Sequence, residues 1–195
     1  MFMANDPFDR FVAECGADRV RRDAPLAPFT TFKVGGPAEC LVEVRNAGEL
    51  AAACQLAMEL GVPAVVLGGG SNVLVSDAGV RGVVIRVHGG ATVREGESGV
   101  RADAGVNLNG LIRWSIGCGL AGLEAFAGTP GSVGGAVCGN AHYGGRSIGD
   151  CIRSVRLWSE GRESADVPAS DMEFAYGGSR VQRTGEVVVA IGKLL

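Results

Sequence analysis

Residues 40–72 read CLVEVRNAGELAAACQLAMELGVPAVVLGGGSN, and this stretch decides the fold. Cys40 to Val44 is a short apolar run of strand character. Asn46 and Glu49 have capping-box spacing, and Leu50, Ala53, Cys54, Ala57 and Leu60 then recur along one helical face. Gly61 and Pro63 stop that helix, and Ala64 to Leu67 reads as a short buried strand. Strand, helix and strand within about 28 residues make a βαβ crossover, expected to be parallel and right-handed.

Upstream, Phe8, Phe11, Val12 and Cys15 predict a short amphipathic helix that Gly16 ends, followed by a charged linker. Thr30 to Pro37 is a turn-rich entry to the first strand. Downstream, Val83 to Val87 is a further strand, and Ala91 to Glu95 pairs with Val100 to Ala104 across Gly96-Glu97-Ser98-Gly99. Asn107 caps a helix through Leu108, Leu111, Ile112 and Ile116 that ends at Gly117 or Gly119. A glycine-rich segment runs from Gly128 to Gly149, and Ile152 to Trp158 and Glu186 to Ile191 read as strands. The sum is an α+β fold: an N-terminal helix and linker over residues 1–25, then two lobes, 26–90 and 91–195.

Composition narrows the function. At 195 residues, 47% hydrophobic and 20% charged, the chain is globular in composition, and a net charge of −3 gives no electrostatic reason to expect nucleic acid. Its one basic cluster, Arg19, Arg21 and Arg22, is flanked by Asp18 and Asp23 and reads as a solvated surface. Met1 to Phe11 has no signal-peptide core, and no stretch approaches the ~18 apolar residues of a membrane span, so neither export nor membrane insertion is expected. The six cysteines are far apart without a C-x-x-C pair, which points to reduced thiols in a cytoplasmic protein and to no metal site.

Glycine is the outlier, at 32 residues without a collagen period, and two loops hold its information. Gly68-Gly69-Gly70-Ser71-Asn72 directly follows a strand. Glycines there let backbone N–H groups approach an anion, and Ser71 and Asn72 add donors, so a diphosphate is a natural guest; a plain tight turn is the other reading. Neither a P-loop nor G-x-G-x-x-G matches, because no Gly-Lys-Ser/Thr follows and Val73 occupies the last glycine position. The second loop, Gly128 to Asn140, mixes glycine with Pro130, Ser132 and Asn140 and suits a backbone pressed against a planar ligand or a phosphate; an irregular surface loop is the alternative. No G-x-S-x-G or H-E-x-x-H occurs, and His88 and His142 are too far apart in sequence to argue a metal pair.

Taken together and in order, Thr31-Phe32-Lys33-Val34-Gly35-Gly36-Pro37-Ala38, Gly68 to Val75, Gly119-Leu120-Ala121-Gly122-Leu123-Glu124, Pro130 to Asn140 and Ile191-Gly192-Lys193-Leu194 resemble the UDP-N-acetylenolpyruvoylglucosamine reductase family. The resemblance implies a two-lobed FAD-binding domain of the PCMH / vanillyl-alcohol oxidase type. It implies FAD contacts at Val34, Gly35, Gly36, Gly68, Gly69, Gly70, Ser71, Asn72, Pro130, Gly131, Ser132, Gly134, Gly135 and Asn140. The implied reaction uses NADPH as reductant and passes hydride from the reduced flavin to the enolpyruvyl group of UDP-N-acetylglucosamine enolpyruvate. A serine protonates the neighbouring carbon, and the product is UDP-N-acetylmuramate for peptidoglycan.

The chain departs from the family pattern in three places. Gly177 stands where the family's Y-R-x-S run places its catalytic arginine, leaving Arg180 and Tyr176 as candidates; Arg180 is expected to serve only if its segment is a loop. The protonating serine and its partner glutamate are expected in a substrate domain beyond Leu195. The Asn140-Ala141-His142-Tyr143-Gly144 turn reads one residue short. Loss of a positioned acid costs roughly 10²–10⁴ in rate, so the chain alone is not expected to complete the reaction. The alternatives are a flavin- or UDP-sugar-binding module without turnover, and the FAD subunit of a larger oxidoreductase.

Overall fold

The computed structural model describes residues 6–194; Met1 to Asn5 of the expected N-terminal segment and Leu195 lie outside the described residues. The first helix, α1 (Pro7–Cys15), forms as its apolar spacing predicts: Asp6 caps it, accepting from Phe8 N, and Phe8 and Phe11 are its buried residues. The charged linker is a correction. Val20–Pro25 is a strand, β1, paired antiparallel with β2 (Pro37–Val44). Only Val20 and Ala24 of β1 point inward, and its charged residues face water, as an edge strand requires.

Helix α2 (Ala47–Glu59) begins where Asn46 accepts from Glu49 N at 2.9 Å. The Glu49 carboxylate does not return the bond to Asn46; it accepts from Arg45 N and from Arg19, so half of the expected capping box is present. Strands β3 (Ala64–Leu67) and β4 (Val80–Val87) complete a sheet in the order β1-β2-β4-β3. Both β2 and β3 run parallel to β4, which lies between them. The expected burial of the second crossover strand is therefore overturned: β3 is an edge strand, exposed at Ala64 and Val65 and buried only at Leu67.

The second sheet has the order β10-β9-β11-β6-β5, all neighbours antiparallel, from β5 (Thr92–Glu95), β6 (Gly99–Asp103), β9 (Ile152–Ser159), β10 (Arg162–Pro168) and β11 (Val187–Leu194). Helix α3 (Leu108–Gly117) starts at its Asn107 cap, but Ile116 faces solvent rather than the core. The glycine-rich segment holds a helix the sequence did not suggest, α4 (Val133–Cys138), then a tight hairpin of β7 (His142–Tyr143) and β8 (Arg146–Ser147). A last short helix, α5 (Val181–Thr184), precedes β11.

One buried cluster runs from Phe8 and Phe11 through Leu50, Ala53 and Ile85 to Val155, Leu157 and Ile191. Helix α2 touches both β4 and β11, so the two sheets share one core with α2 between them. Burying a side chain such as Phe11 or Leu50 contributes about 1.5–3 kcal/mol, and the shared core fixes how the sheets face each other.

Candidate functional site: a glycine-lined cleft between the two sheets

Strand β3 ends at Leu67 and delivers Gly68 to Asn72 to the gap between the sheets, where Pro130, Gly131 and Ser132 face them. The two loops press together. A Cβ on Gly68 would lie 2.2 Å from Ser132 Oγ, one on Gly69 would lie 2.8 Å from Gly131 Cα, and Ser71 Oγ donates to Pro130 O at 3.3 Å. Gly70 takes a φ of +63°, and a Cβ there would be 1.9 Å from Phe29 O. Gly69 and Gly70, which meet backbone atoms, therefore require glycine for chain packing before any ligand is considered.

That packing leaves a specific surplus. Among the described residues, no acceptor takes the backbone N–H of Gly69, Gly70, Ser71 or Asn72. Orphan donors in successive residues around a positive-φ glycine form a concave anion site, and each hydrogen bond to a charged acceptor is worth about 1.5–3 kcal/mol. Across the gap, Ser132 caps α4, its Oγ accepting from Gly135 N at 3.3 Å, while Gly134 lets α4 sit against Ala104.

The cleft so formed measures about 590 Å³, within the range of ligand sites. Beyond the loops it is lined by Thr129, Cys138, Ala141, His142, Gly177, Gln182, and Glu186 to Val188, with Val87 and Ala104 at its floor. No lysine or arginine lines it, so its positive potential comes from backbone N–H groups. Glu186 carries the one carboxylate of the lining. It accepts from Arg180 Nε at 2.8 Å and from Thr184 Oγ1 at 2.7 Å, and these bonds, the arginine's first, hold it below the usual carboxylate range. The same bond raises Arg180. Burial pushes the Cys138 thiol up, which keeps it protonated and unreactive at neutral pH.

Of the residues expected at a cofactor, Gly68, Gly69, Gly70, Ser71, Asn72, Pro130, Gly131, Ser132, Gly134 and Gly135 meet in this cleft. Val34, Gly35, Gly36 and Asn140 do not line it. Gly36 N donates to Ser76 O at 2.9 Å and a Cβ there would lie 2.1 Å from Asp77 O, so that glycine pair serves loop-on-loop packing. Asn140 is buried, with its side-chain amide donating to Ala175 O at 2.8 Å and accepting from Gly149 N at 3.1 Å. Arg180 does sit outside any strand, at the start of α5, but its guanidinium is spent on Glu186 rather than turned into the cleft. Tyr176 is 89% exposed at the tip of a turn, its ring 4.2 Å from that of His142. Sequence reading missed His142, Cys138, Gln182 and Glu186 to Val188, which carry no motif; for Cys138 and His142, lying in or beside the second glycine-rich loop was the available signal.

Among the described residues no three His, Cys, Asp or Glu converge as a metal site, and no helix is long and apolar enough to cross a membrane. A family model described as an FAD binding domain matches residues 38–162. The UDP-N-acetylenolpyruvoylglucosamine reductase of Anaeromyxobacter sp. (strain Fw109-5) is 44% identical over 177 residues, 88% of this chain and 54% of that protein. The enzyme of the same name from Lachnoclostridium phytofermentans is 37% identical over 177 residues, 88% of this chain and 57% of that one. This chain therefore spans little more than half the length of these relatives. The crystal structure of UDP-N-acetylenolpyruvylglucosamine reductase from Thermus caldophilus superposes with a TM-score of 0.76 at 33% identity, over 90% of this chain and 61% of that one. An alkyldihydroxyacetonephosphate synthase at 15% identity and a TM-score of 0.68 shares the fold, the α+β type expected from the sequence.

Proposed function

This chain belongs to the FAD binding domain family, and on that premise we propose that the cleft holds FAD and that the chain is the FAD-holding part of a UDP-N-acetylenolpyruvoylglucosamine reductase. The observation that carries the reading is the run of unpaired N–H groups from Gly69 to Asn72 facing Pro130 to Ser132. Four such donors with two polar side chains suit a diphosphate, which needs several hydrogen bonds and tolerates no carboxylate close by. Glu186 meets that condition because Arg180 neutralises it.

On this reading Gly69, Gly70, Ser71 and Asn72 grip the diphosphate, and Gly131 and Ser132 close the opposite side. Val87, Ala104 and Val188 exclude water from the floor. When bound, FAD supplies the hydride relay between NADPH and the enolpyruvyl group of the UDP-sugar; the protein supplies placement and electrostatics. The reading also places the protein in the cytoplasm in peptidoglycan synthesis, in keeping with its six unpaired cysteines.

The test is the visible spectrum of the purified protein, followed by denaturation. A flavin band and release of free FAD support the reading; a colourless protein that takes up no added FAD ends it. Gly177 favours a second reading, a flavin-binding module without turnover, because the cleft has no arginine at the family position and no other free cation in its lining. NADPH oxidation dependent on UDP-N-acetylglucosamine enolpyruvate by the chain as it stands would dismiss that alternative.

A further inference from the structure

Helix α3 holds the second glycine-rich loop from outside the cleft. Thr129, Pro130, Gly131 and Ser132 of that loop line the cleft, whereas Asn109, in the first turn of α3, does not. The Asn109 amide bonds the loop twice: Oδ1 accepts from Gly128 N at 2.7 Å, and Nδ2 donates to Thr129 O at 3.0 Å. Among the described residues, neither Gly128 N nor Thr129 O has another hydrogen-bond partner. One residue earlier, Leu108 N donates to Gly131 O at 3.0 Å. The helix therefore grips the loop on both sides of Pro130, which has no N–H of its own to offer.

That grip matters because the loop is free by composition and crowded by position. Gly128 and Gly131 take φ values of +93° and +117°, so the segment between them is not stiffened by its own backbone. Yet a Cβ on Gly131 would lie 2.7 Å from Ser71 Oγ, which leaves the facing loop little room. A small displacement of Thr129 to Ser132 either closes these contacts or widens the slot in front of the N–H groups of Gly69 to Asn72. Asn109 opposes both movements, with a donor and an acceptor fixed in one amide plane. Its neighbour Asn107 serves the helix instead: its Oδ1 caps α3 by accepting from Gly110 N at 2.9 Å.

The geometry points to Asn109 as a positioning residue of the cleft: its amide sets Thr129 to Ser132 at the spacing from Gly68 to Asn72 at which a diphosphate is held. The inference rests on the FAD reading for the identity of that ligand, and Asn109 acts on it only through the loop. Order built into the loop before binding is order that the ligand does not have to impose. Losing both amide bonds therefore weakens binding roughly 5- to 20-fold.

The experiment compares the full chain with Asn109→Ala, Asn109→Asp and Asn107→Ala, by calorimetric titration with FAD and by urea unfolding without it. Asn107→Ala loses a helix cap, so its urea midpoint falls while its FAD affinity stays within about twofold of the parent's. Asn109→Ala binds FAD roughly 5- to 20-fold more weakly, although its midpoint falls no further. Asn109→Asp keeps the bond from Gly128 N but sets a carboxylate oxygen against Thr129 O. Its affinity deficit grows between about pH 4 and about pH 7 as the new carboxyl ionises, whereas the Asn109→Ala deficit is flat. In the FAD-free protein, Asn109→Ala speeds amide exchange at Leu108, whose N–H is bonded to Gly131 O. Asn109 variants with the parent's FAD affinity, or Asn107→Ala and Asn109→Ala weakened alike, overturn the positioning role and leave the FAD reading standing. A parent that takes up no FAD, with Leu108 still responding to Asn109→Ala, overturns the FAD reading and the role in FAD binding with it.

Discussion

The loops Thr31 to Pro37 and Gly68 to Asn72 look alike on paper: each holds adjacent glycines at the edge of a strand, and each was expected at the cofactor. The structure uses them differently. In the first, Gly36 is consumed by the chain itself, its N–H bonded to Ser76 and its missing side chain occupied by Asp77 O. In the second, close packing of Gly70 on Phe29 and Gly69 on Gly131 leaves four consecutive N–H groups without an acceptor among the described residues. A glycine run states that something comes close. Whether that something is chain or ligand is decided by where the backbone donors end up.

The largest effect should fall on the first loop. Gly36→Ala forces a carbon against the Asp77 carbonyl and should cost about 3 kcal/mol, read as a lower urea midpoint at unchanged slope. The folded fraction should keep the parent's affinity for FAD; a variant of normal stability with lost affinity would reverse the comparison. Next comes FAD itself, which binds only the folded state: at a hundredfold excess over its Kd it should stabilise the parent by about 2.7 kcal/mol and partly rescue Gly36→Ala. Calorimetry with and without FAD measures both.

Ser71→Ala with Asn72→Ala sharpens the contrast from the other side. Removing two side-chain donors beside a charged ligand should weaken FAD binding by about 2 kcal/mol, near thirtyfold, while the FAD-free protein unfolds within about 0.5 kcal/mol of the parent. Equal losses in both assays would mean that this loop, like the first, serves the chain.

The smallest effect concerns Glu186, which is internally spent as Gly36 is. Its folded pKa is depressed, so its contribution is fully present above its ordinary value of 4.5 and is lost as pH falls from there through the lowered folded value. The amount should be about 1 kcal/mol, since both partners of the Arg180 pair are partly shielded. Stability curves of the parent and Glu186→Gln should differ above pH 4.5 and converge in acid; curves separated by a constant amount would show that the ion pair does not set the step.

Much of the fold was legible because it is written in local periodicity. Asp6, Asn46 and Asn107 cap helices whose apolar spacing is visible, and β4, the β5–β6 hairpin, β9 and β11 read as apolar or alternating runs. Elements without that signature escaped. Strand β1 buries only Val20 and Ala24 of VRRDAP, β10 has no fully buried residue in RESADVP, and α4 contains two glycines that argue against a helix until Ser132 caps it and Ala104 receives it. Burial also followed sheet position rather than hydropathy: Val65 is exposed because β3 lies at an edge, and Ile116 because α3 turns Ser115 inward instead.

The sequence by itself determined α1, α2 and α3, the crossover and the two glycine-rich loops, because each is set by residues within a turn or two of one another. Only the tertiary structure decided that Gly68 to Asn72 meets Pro130 to Ser132, that Gly35 and Gly36 face chain instead, and that Arg180 is given to Glu186. Those outcomes depend on which backbone donors and charges find partners from distant segments, and a shared core between two sheets, not local pattern, sets that accounting.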